Sequence, residues 1–554
     1  MKNLKSTLTY LKEKIGKENQ RNTLFLCIFF FIFFTLDILL QYDKISTISI
    51  GGGVYIVRTV IIWSLLLTSF YLLLGKYSKY LYTLFIPVFV LFELAELFHC
   101  IYFDRMMTGN IIFICAVSSW QETMNFIELY LTFTTVLLLL FLFSSIGFTI
   151  WYIWRTFKVK PNKYTATAGI SAILLFVILE TPGLFMYPSA IFSRTLLGMF
   201  CIDSYEVISH YQTLLKAMKQ PELPQEISVI PAENKDKRMM GIIILGESST
   251  KNNWGLYGYS RNTTPNLSER KAELLVWKDV VGAEADTCSA LYKLLTQATV
   301  ENPKEVKCTI FDVYKKAGFD VILISSQNQW GNDNGLLISL FRTATERIYL
   351  ETSYDMDIFE YIKEKIRTTE WNTIFVLHTK GSHYPPERYY PQKFTPFKDV
   401  VDKENRNYSE ERQNIINHYD NTVAYTDKFL NAVIEEVNKK AIPSFVFYIS
   451  DHGETPRTPV WRDITHNDCW EVPMLLWASD EYRKAYPSVW KNSERNLDAP
   501  LQSDKLFWSF LSLARITCKN FPAESDIFSN RFVRKNTPRL IQHGKVEYKK
   551  DGNK

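Results

Sequence analysis

Four residues have the types and the setting to hold one metal ion and to activate a hydroxyl: Glu247, Thr287, Asp451 and His452. Glu247 follows the apolar run Ile242-Ile-Ile-Leu-Gly246 and leads into Ser-Ser-Thr250. Asp451-His452-Gly-Glu454 follows a second apolar run, Phe445-Val-Phe-Tyr-Ile-Ser450. Thr287 sits in Ala285-Asp-Thr-Cys288, just after the strand-like Leu275–Val281. Two carboxylates, an imidazole and an alkoxide offset the charge of a divalent cation, and zinc is content with four N and O ligands. Coordination is what would turn a weak threonine hydroxyl into a nucleophile. A helix starting at Thr287 would aim its first amides at an anionic phosphoryl group. A third apolar run, Thr373-Ile-Phe-Val-Leu377, delivers His378, with His383 close behind and His466 beyond the Asp-His pair. Beside a metal and a phosphate these three histidines would bind substrate or act as general acid and base. Singly, each residue has an ordinary reading: a solvated loop glutamate, a threonine N-cap, a core histidine. Their joint occurrence in this order carries the argument.

Short apolar runs that end in a polar residue describe buried parallel strands, and open α/β sheets place their chemistry at those strand ends. Helical stretches at Val306–Lys316, Ile358–Thr368 and Arg412–Lys439 alternate with them, so residues 236–554 read as one α/β domain. A chain of 554 residues is too long for a single core. The near balance of 63 basic and 58 acidic residues gives no case for nucleic-acid binding. The eight cysteines form no CxxC pair, which excludes a cysteine zinc module.

The first third is different. Apolar runs near 23–41, 54–75, 81–103, 129–152 and 166–185 each approach the ~20 residues a bilayer requires, giving a five-span domain over 1–185. Lys and Arg gather in the N-terminus, the 76–80 loop and the 155–163 loop, which places those segments in the cytoplasm and everything after 185 outside. Glu93, Glu96 and His99 share one face of the third span, as a polar knot or as a functional group. Residues 186–235 read as a surface-lying amphipathic helix and a Pro-rich linker.

The run Gly246-Glu-Ser-Ser-Thr-Lys-Asn-Asn-Trp-Gly-Leu-Tyr-Gly-Tyr-Ser-Arg-Asn-Thr-Thr-Pro-Asn-Leu267 resembles the signature of membrane-bound phosphoethanolamine transferases. So do His378-Thr-Lys-Gly-Ser-His383, Ser450-Asp-His-Gly-Glu454, and His466 ahead of Val472-Pro. The resemblance implies an α-helical transmembrane bundle followed by a sulfatase-like, alkaline-phosphatase-type α/β domain in the periplasm, anchored in a bacterial inner membrane. It implies zinc held by Glu247, Thr287, Asp451 and His452, with Thr287 the residue that becomes phosphorylated. His383 and His466 would bind phosphoethanolamine, with His378 near them and Asn328 in Ser325-Ser-Gln-Asn-Gln329. Glu122 and, more weakly, Glu128 would touch the donor. The implied donor is phosphatidylethanolamine, the acceptor a lipid-anchored glycan (lipid A or lipopolysaccharide core), and the enzyme a monomer. Ala285-Asp286-Thr287, where the lipid A enzymes have Cys-Gly-Thr, is closer to the core-heptose type.

The rival enzyme is a phosphoglycerol transferase of the lipoteichoic-acid type; the rival class is a proton-coupled transporter using Glu93, Glu96 and His99. A Cys288–Cys308 disulfide is expected in an oxidising compartment, where it would clamp the turn that carries Thr287.

Overall fold

Seven strands of the second half pair into one sheet: β1 (Met240–Gly246), β2 (Leu274–Trp277), β3 (Asp320–Ser325), β4 (Glu346–Tyr349), β5 (Thr373–His378), β6 (Ser444–Ser450) and β7 (Met474–Ala478). The structure is a computed structural model. It describes residues 15–40, 50–103, 131–186, 221–230, 238–327, 336–369, 372–398, 408–458, 461–533 and 538–550, with isolated positions elsewhere. Two compact units divide the chain, Met1–Ser209 and His210–Lys554. The expected linker, 186–235, lies mostly outside the described residues.

In the second unit the strand order is β2-β7-β6-β1-β5-β3-β4. All neighbours run parallel except at β7, which is antiparallel to both β6 and β2. Every residue of β1, β5 and β6 is buried, which is why these strands are near-continuous apolar runs rather than alternating ones. The register sets Leu245 beside His378 and Gly246 beside Ser450. The chain therefore leaves three adjacent strands at one edge with Glu247, Asp451 and the loop after His378 side by side.

Helix α6 (Thr287–Leu295) begins at the candidate nucleophile, and α7 (Asp355–Thr368) and α8 (Glu410–Asn438) cover the sheet. Ile358, Ile362 and Ile366 repeat every fourth residue and form one buried stripe of α7, packed in a common core with Val423, Leu430 and Val433 of α8 and Ile242 and Phe375 of the sheet. The long signature after Glu247 is a brace. Trp254 Nε1 donates to Ser249 Oγ (2.9 Å), Arg261 pairs with Asp420 of α8 (2.8 Å), and the Asn266 and Leu267 amides donate to Asp427 (3.1 and 2.9 Å).

Two expectations are corrected here. The strand read over 275–281 is broken: β2 stops at Trp277, and Val280–Val281 pairs instead with Leu501–Gln502. Cys288 and Cys308 are not bridged to each other, and the six cysteines that the structure describes form no disulfide among themselves. The loop they were to staple is closed by other means. Thr296 and Thr309 form a bridge, and Gln297 receives the Lys307 and Cys308 amides while donating to Cys308 Sγ at 3.0 Å.

Among the described residues, the first unit shows five apolar helices: α1 (Lys17–Leu40), α2 (Ile50–Leu74), α3 (Ser78–Phe103), α4 (Phe133–Thr156) and α5 (Lys163–Met186). Among the described residues, two stretches, Val60–His99 and Thr135–Thr156, are long and apolar enough to cross a bilayer. The start of α1 meets the ends of α2 and α4: Asn22 Nδ2 donates to Tyr71 Oη (2.9 Å) and to the Thr156 carbonyl (3.0 Å). The Lys76 amide donates to the Val159 carbonyl at 2.7 Å. Gly75 permits that approach, with φ +52° and a Cβ position only 2.7 Å from Val159 O and Pro161 N. Glu93 and Glu96 are buried within the unit, and Glu96 accepts the Met107 amide at 2.9 Å.

Candidate active site

Glu247 is fully buried at the end of β1, where its loop is fixed from three sides. Tyr419 Oη donates to the Ser248 carbonyl and accepts the Thr250 amide, both at 2.8 Å. The Ser248 amide donates to Asp451 Oδ1 at 3.0 Å. The loop after β5 packs directly on Glu247: the Ser382 amide donates to its carbonyl (2.9 Å), and a Cβ on Gly381, whose φ is +49°, would lie 2.6 Å from that same oxygen. Asp355, at the start of α7, holds this loop by accepting the Lys380 and Gly381 amides (2.7 and 2.9 Å).

Thr287 is the first residue of α6. Asp286 caps the helix, its Oδ1 accepting the Ser289 amide at 2.9 Å. Thr287 Oγ1 donates toward both oxygens of Glu247, at 3.0 and 3.2 Å. Ser248 Oγ (2.6 Å) and Gln327 Nε2 (3.2 Å) also donate to that carboxylate.

Ligand atoms of Glu247, Asp451 and His452 lie within 4.8 Å of one another, all buried. Asp451 Oδ2 and His452 Nε2 are buried and have no hydrogen-bond partner among the described residues. Buried polar atoms left in this way are costly unless something else satisfies them. The His452 ring is turned by Nδ1, which lies 2.8 Å from the Gly453 carbonyl. Nδ1–H donating there leaves the Nε2 lone pair aimed at the two carboxylates, as in a metal-ligating histidine. Electrostatics agree. Burial, reinforced by Glu247, pushes the Asp451 carboxyl far above its ordinary range. Burial would raise Glu247 too, but the neighbouring His452 ring, with Nε2 3.4 Å from Glu247 Oε1, holds it low. A divalent cation resolves this crowding, and an O,O,N donor set joined by the Thr287 oxygen suits zinc.

The histidines fall in different places. His383 is half-buried beside the site, with Nδ1 2.8 Å from the Tyr384 carbonyl and its ring edge-on to Tyr389. His466 caps the turn Asn467–Cys469 through Nδ1, which accepts the Asp468 amide at 3.2 Å. His378 is 2 % exposed, its ring against Phe341 and its Nδ1 3.2 Å from Ser325 Oγ. Burial pushes that imidazole down to about 4, so it stays neutral near pH 7. Asn328, Glu122 and Glu128 lie outside the described residues.

Four contributors had no individual signal in the sequence. Gln327 touches Glu247 and Lys380, Asp355 holds the loop, and Glu454 and Arg462 form a pair beside Ser248. Gln327 and Glu454 lay inside quoted stretches; Asp355 and Arg462 did not.

The Sulfatase family profile matches residues 240–516. The phosphoethanolamine transferase EptC of Escherichia coli (strain K12) is 22% identical over 488 residues, 81% of this chain and 82% of that one. The Kdo(2)-lipid A phosphoethanolamine 7''-transferase of the same strain is 31% identical over 260 residues, 44% of each chain. Among solved structures, the integral membrane lipooligosaccharide phosphoethanolamine transferase A of Neisseria meningitidis aligns with 89% of this chain and 94% of its own (TM-score 0.64, 18% identity). The periplasmic domain of E. coli EptC, in a complex with Zn, aligns with 60% of this chain and 95% of its own (TM-score 0.53, 23% identity). These likenesses carry the fold of both units.

Proposed function

The chain belongs to the sulfatase family, and on that premise we propose that it transfers phosphoethanolamine from phosphatidylethanolamine to lipid A or lipopolysaccharide core, as a monomer of the bacterial inner membrane with its catalytic unit in the periplasm. The observation that carries the proposal is the Thr287 hydroxyl, presented by the first turn of α6 to the buried Glu247 carboxylate beside two unsatisfied ligand atoms.

Thr287 Oγ1 attacks the donor phosphorus. An Oγ1–P bond forms, the P–O bond to glycerol breaks, and diacylglycerol departs with a proton. An acceptor oxygen then attacks the phosphothreonine, the Oγ1–P bond breaks, and Thr287 is regenerated. Glu247 orients the hydroxyl for the first attack by accepting its hydrogen bond. Bound at Glu247, Thr287, Asp451 and His452, zinc would supply a lowered hydroxyl pKa and a polarised phosphoryl group. The α6 amides face the incoming phosphoryl oxygens. His383 and His466 bind the headgroup and carry the proton to the leaving oxygen and from the acceptor. The neutral, enclosed His378 packs against Phe341 and Ser325. The Glu96–Met107 contact favours a polar knot in the membrane unit over a proton relay.

Mass spectrometry of envelope glycolipids with and without the protein tests this directly. Phosphoethanolamine additions that depend on the protein are expected. Phosphoglycerol in their place, or no change at all, would contradict the proposal.

A further inference from the structure

Arg462 stands two hydrogen bonds from the candidate metal centre. Its Nη2 donates to Ser248 Oγ at 3.3 Å, and Ser248 Oγ donates to Glu247 Oε1 at 2.6 Å. Its other partner is Glu454, which is fully buried. Nε and Nη2 both converge on Glu454 Oε1 at 2.6 Å. A pair built only to neutralise a buried carboxylate would be a side-on fork that uses both oxygens. Here Glu454 Oε2 is left without a hydrogen-bond partner among the described residues, and the arginine keeps an edge that neither contact uses. The Arg462 side chain is 26% exposed while Glu454 is 0%, so the arginine is anchored on a buried carboxylate while its own side chain is only partly enclosed. The backbone is also unusual. Arg462 and Ser248, joined by that hydrogen bond, both have positive φ, 61° and 57°. Non-glycine residues in this region cost of order 1–3 kcal/mol and are found where the surroundings impose them, often at functional sites.

We propose that Arg462 is a phosphoryl-binding residue of the transfer reaction, its free edge taking a non-bridging oxygen of the phosphate while Glu454 and Ser248 hold the guanidinium in place. This rests on the transfer reading above. A planar, permanently charged fork suits a phosphate group better than an ammonium does. It would also meet the charge that builds on the equatorial oxygens as the phosphoryl group passes between two oxygens. Burial opposes the charge, but Glu454 and Glu247 more than compensate and keep the guanidinium protonated.

The test uses the full-length, zinc-loaded protein in detergent as wild type, Arg462→Gln, Arg462→Lys and the double variant Arg462→Gln/Glu454→Gln. Three quantities are read: zinc content, affinity for inorganic phosphate and for short-chain phosphatidylethanolamine, and transfer rate. Zinc content should be unchanged throughout. Arg462→Gln should bind both ligands roughly tenfold more weakly or worse, the size of one lost charge-assisted hydrogen bond. Arg462→Lys should recover part of that loss and the double variant none of it. Full recovery in the double variant would show that Arg462 only neutralises Glu454, and the proposal would be overturned. Unchanged affinity in Arg462→Gln, weakened binding of inorganic phosphate alone, or loss of zinc from Arg462→Gln would overturn it too. A wild type that binds phosphate through Arg462 but transfers no phosphoethanolamine would instead refute the transfer reading and leave the anion site standing.

Discussion

Asp451 Oδ2 and His452 Nε2 lie 3.5 Å apart in a fully buried place, and neither has a hydrogen-bond partner among the described residues. Asp451→Ala and His452→Ala should therefore lower zinc content and transfer together. His383→Ala and His466→Ala should keep zinc and slow transfer by roughly 10²–10⁴-fold, as for a lost acid–base group. Metal analysis beside a transfer assay separates the two classes. Loss of zinc from both histidine variants would redraw the ligand set.

Metal removal gives a second test. Without a cation, two buried carboxylates face each other at Glu247 and Asp451, and an uncompensated buried charge is strongly destabilising. Chelator-treated protein should melt several degrees lower than the zinc form. Asp451→Asn should recover part of that deficit in the metal-free state, because one of the two charges is gone. If metal-free Asp451→Asn melts below metal-free wild type, the crowding described here is not what destabilises the empty site.

Gly381→Ala should be far more damaging than its size implies. The position has φ +49°, and the added methyl would meet the Glu247 carbonyl at 2.6 Å. The strain is of order 1–3 kcal/mol, and the displaced atom belongs to the backbone of a candidate ligand. A lowered melting temperature together with weakened zinc binding is expected; wild-type zinc affinity would show that the loop after β5 does not set the ligand geometry.

How much of this was legible follows from what each residue's position depends on. β1, β5 and β6 could be read because a strand buried on both faces is an apolar run wherever it occurs, and its polar terminus marks the sheet edge. The start of α6 could be read from Asp286-Thr287 after a strand-like stretch. Arg462 could not, because its neighbours are set by a left-handed turn and by the packing that brings Ser248 alongside. His378 carries the same strand-end signal as Glu247, but the sheet sends its ring inward against Phe341. Cys288 and Cys308 had a plausible loop length between them, while Gln297, which closes that loop by hydrogen bonds, gave no sign in the sequence.

Just ahead of Thr287, the buried Glu284 is paired with Lys293 Nζ (2.9 Å) and His543 Nδ1 (3.0 Å). Its hydrogen bond to Glu284, helped by Asp286 and opposed by burial and Lys293, raises His543 above its ordinary value. Burial would raise Glu284, but Lys293 and His543 hold it down to about 2. A raised histidine contributes its stability fully below its unfolded pKa, near 6.5, and loses it as pH rises through the folded value. His543→Gln should thus lower the melting temperature more at pH 6 than at pH 9. The effect should be about 1 kcal/mol or less, since the His543 side chain is 45% exposed. A deficit independent of pH would rule out the ion pair as its source.

Topology can be checked by fusion. The start of α1, the turn at Lys76 and the segment after Thr156 meet at one end of the first unit, and all three are basic. With that end in the cytoplasm and five crossings, a reporter joined after Lys554 should be active only outside the cytoplasm. Activity inside would mean an even number of crossings.

The central claim is that Thr287 carries the phosphoryl group between donor and acceptor. Intact-mass measurement of the purified, zinc-loaded protein after incubation with phosphatidylethanolamine alone reads it directly. Wild type should gain one phosphoethanolamine, mapped to Thr287, with release of diacylglycerol; Thr287→Ser should gain some and Thr287→Ala none. An adduct on Thr287→Ala at the wild-type level would contradict the account and move the nucleophile to Ser248 or Ser289.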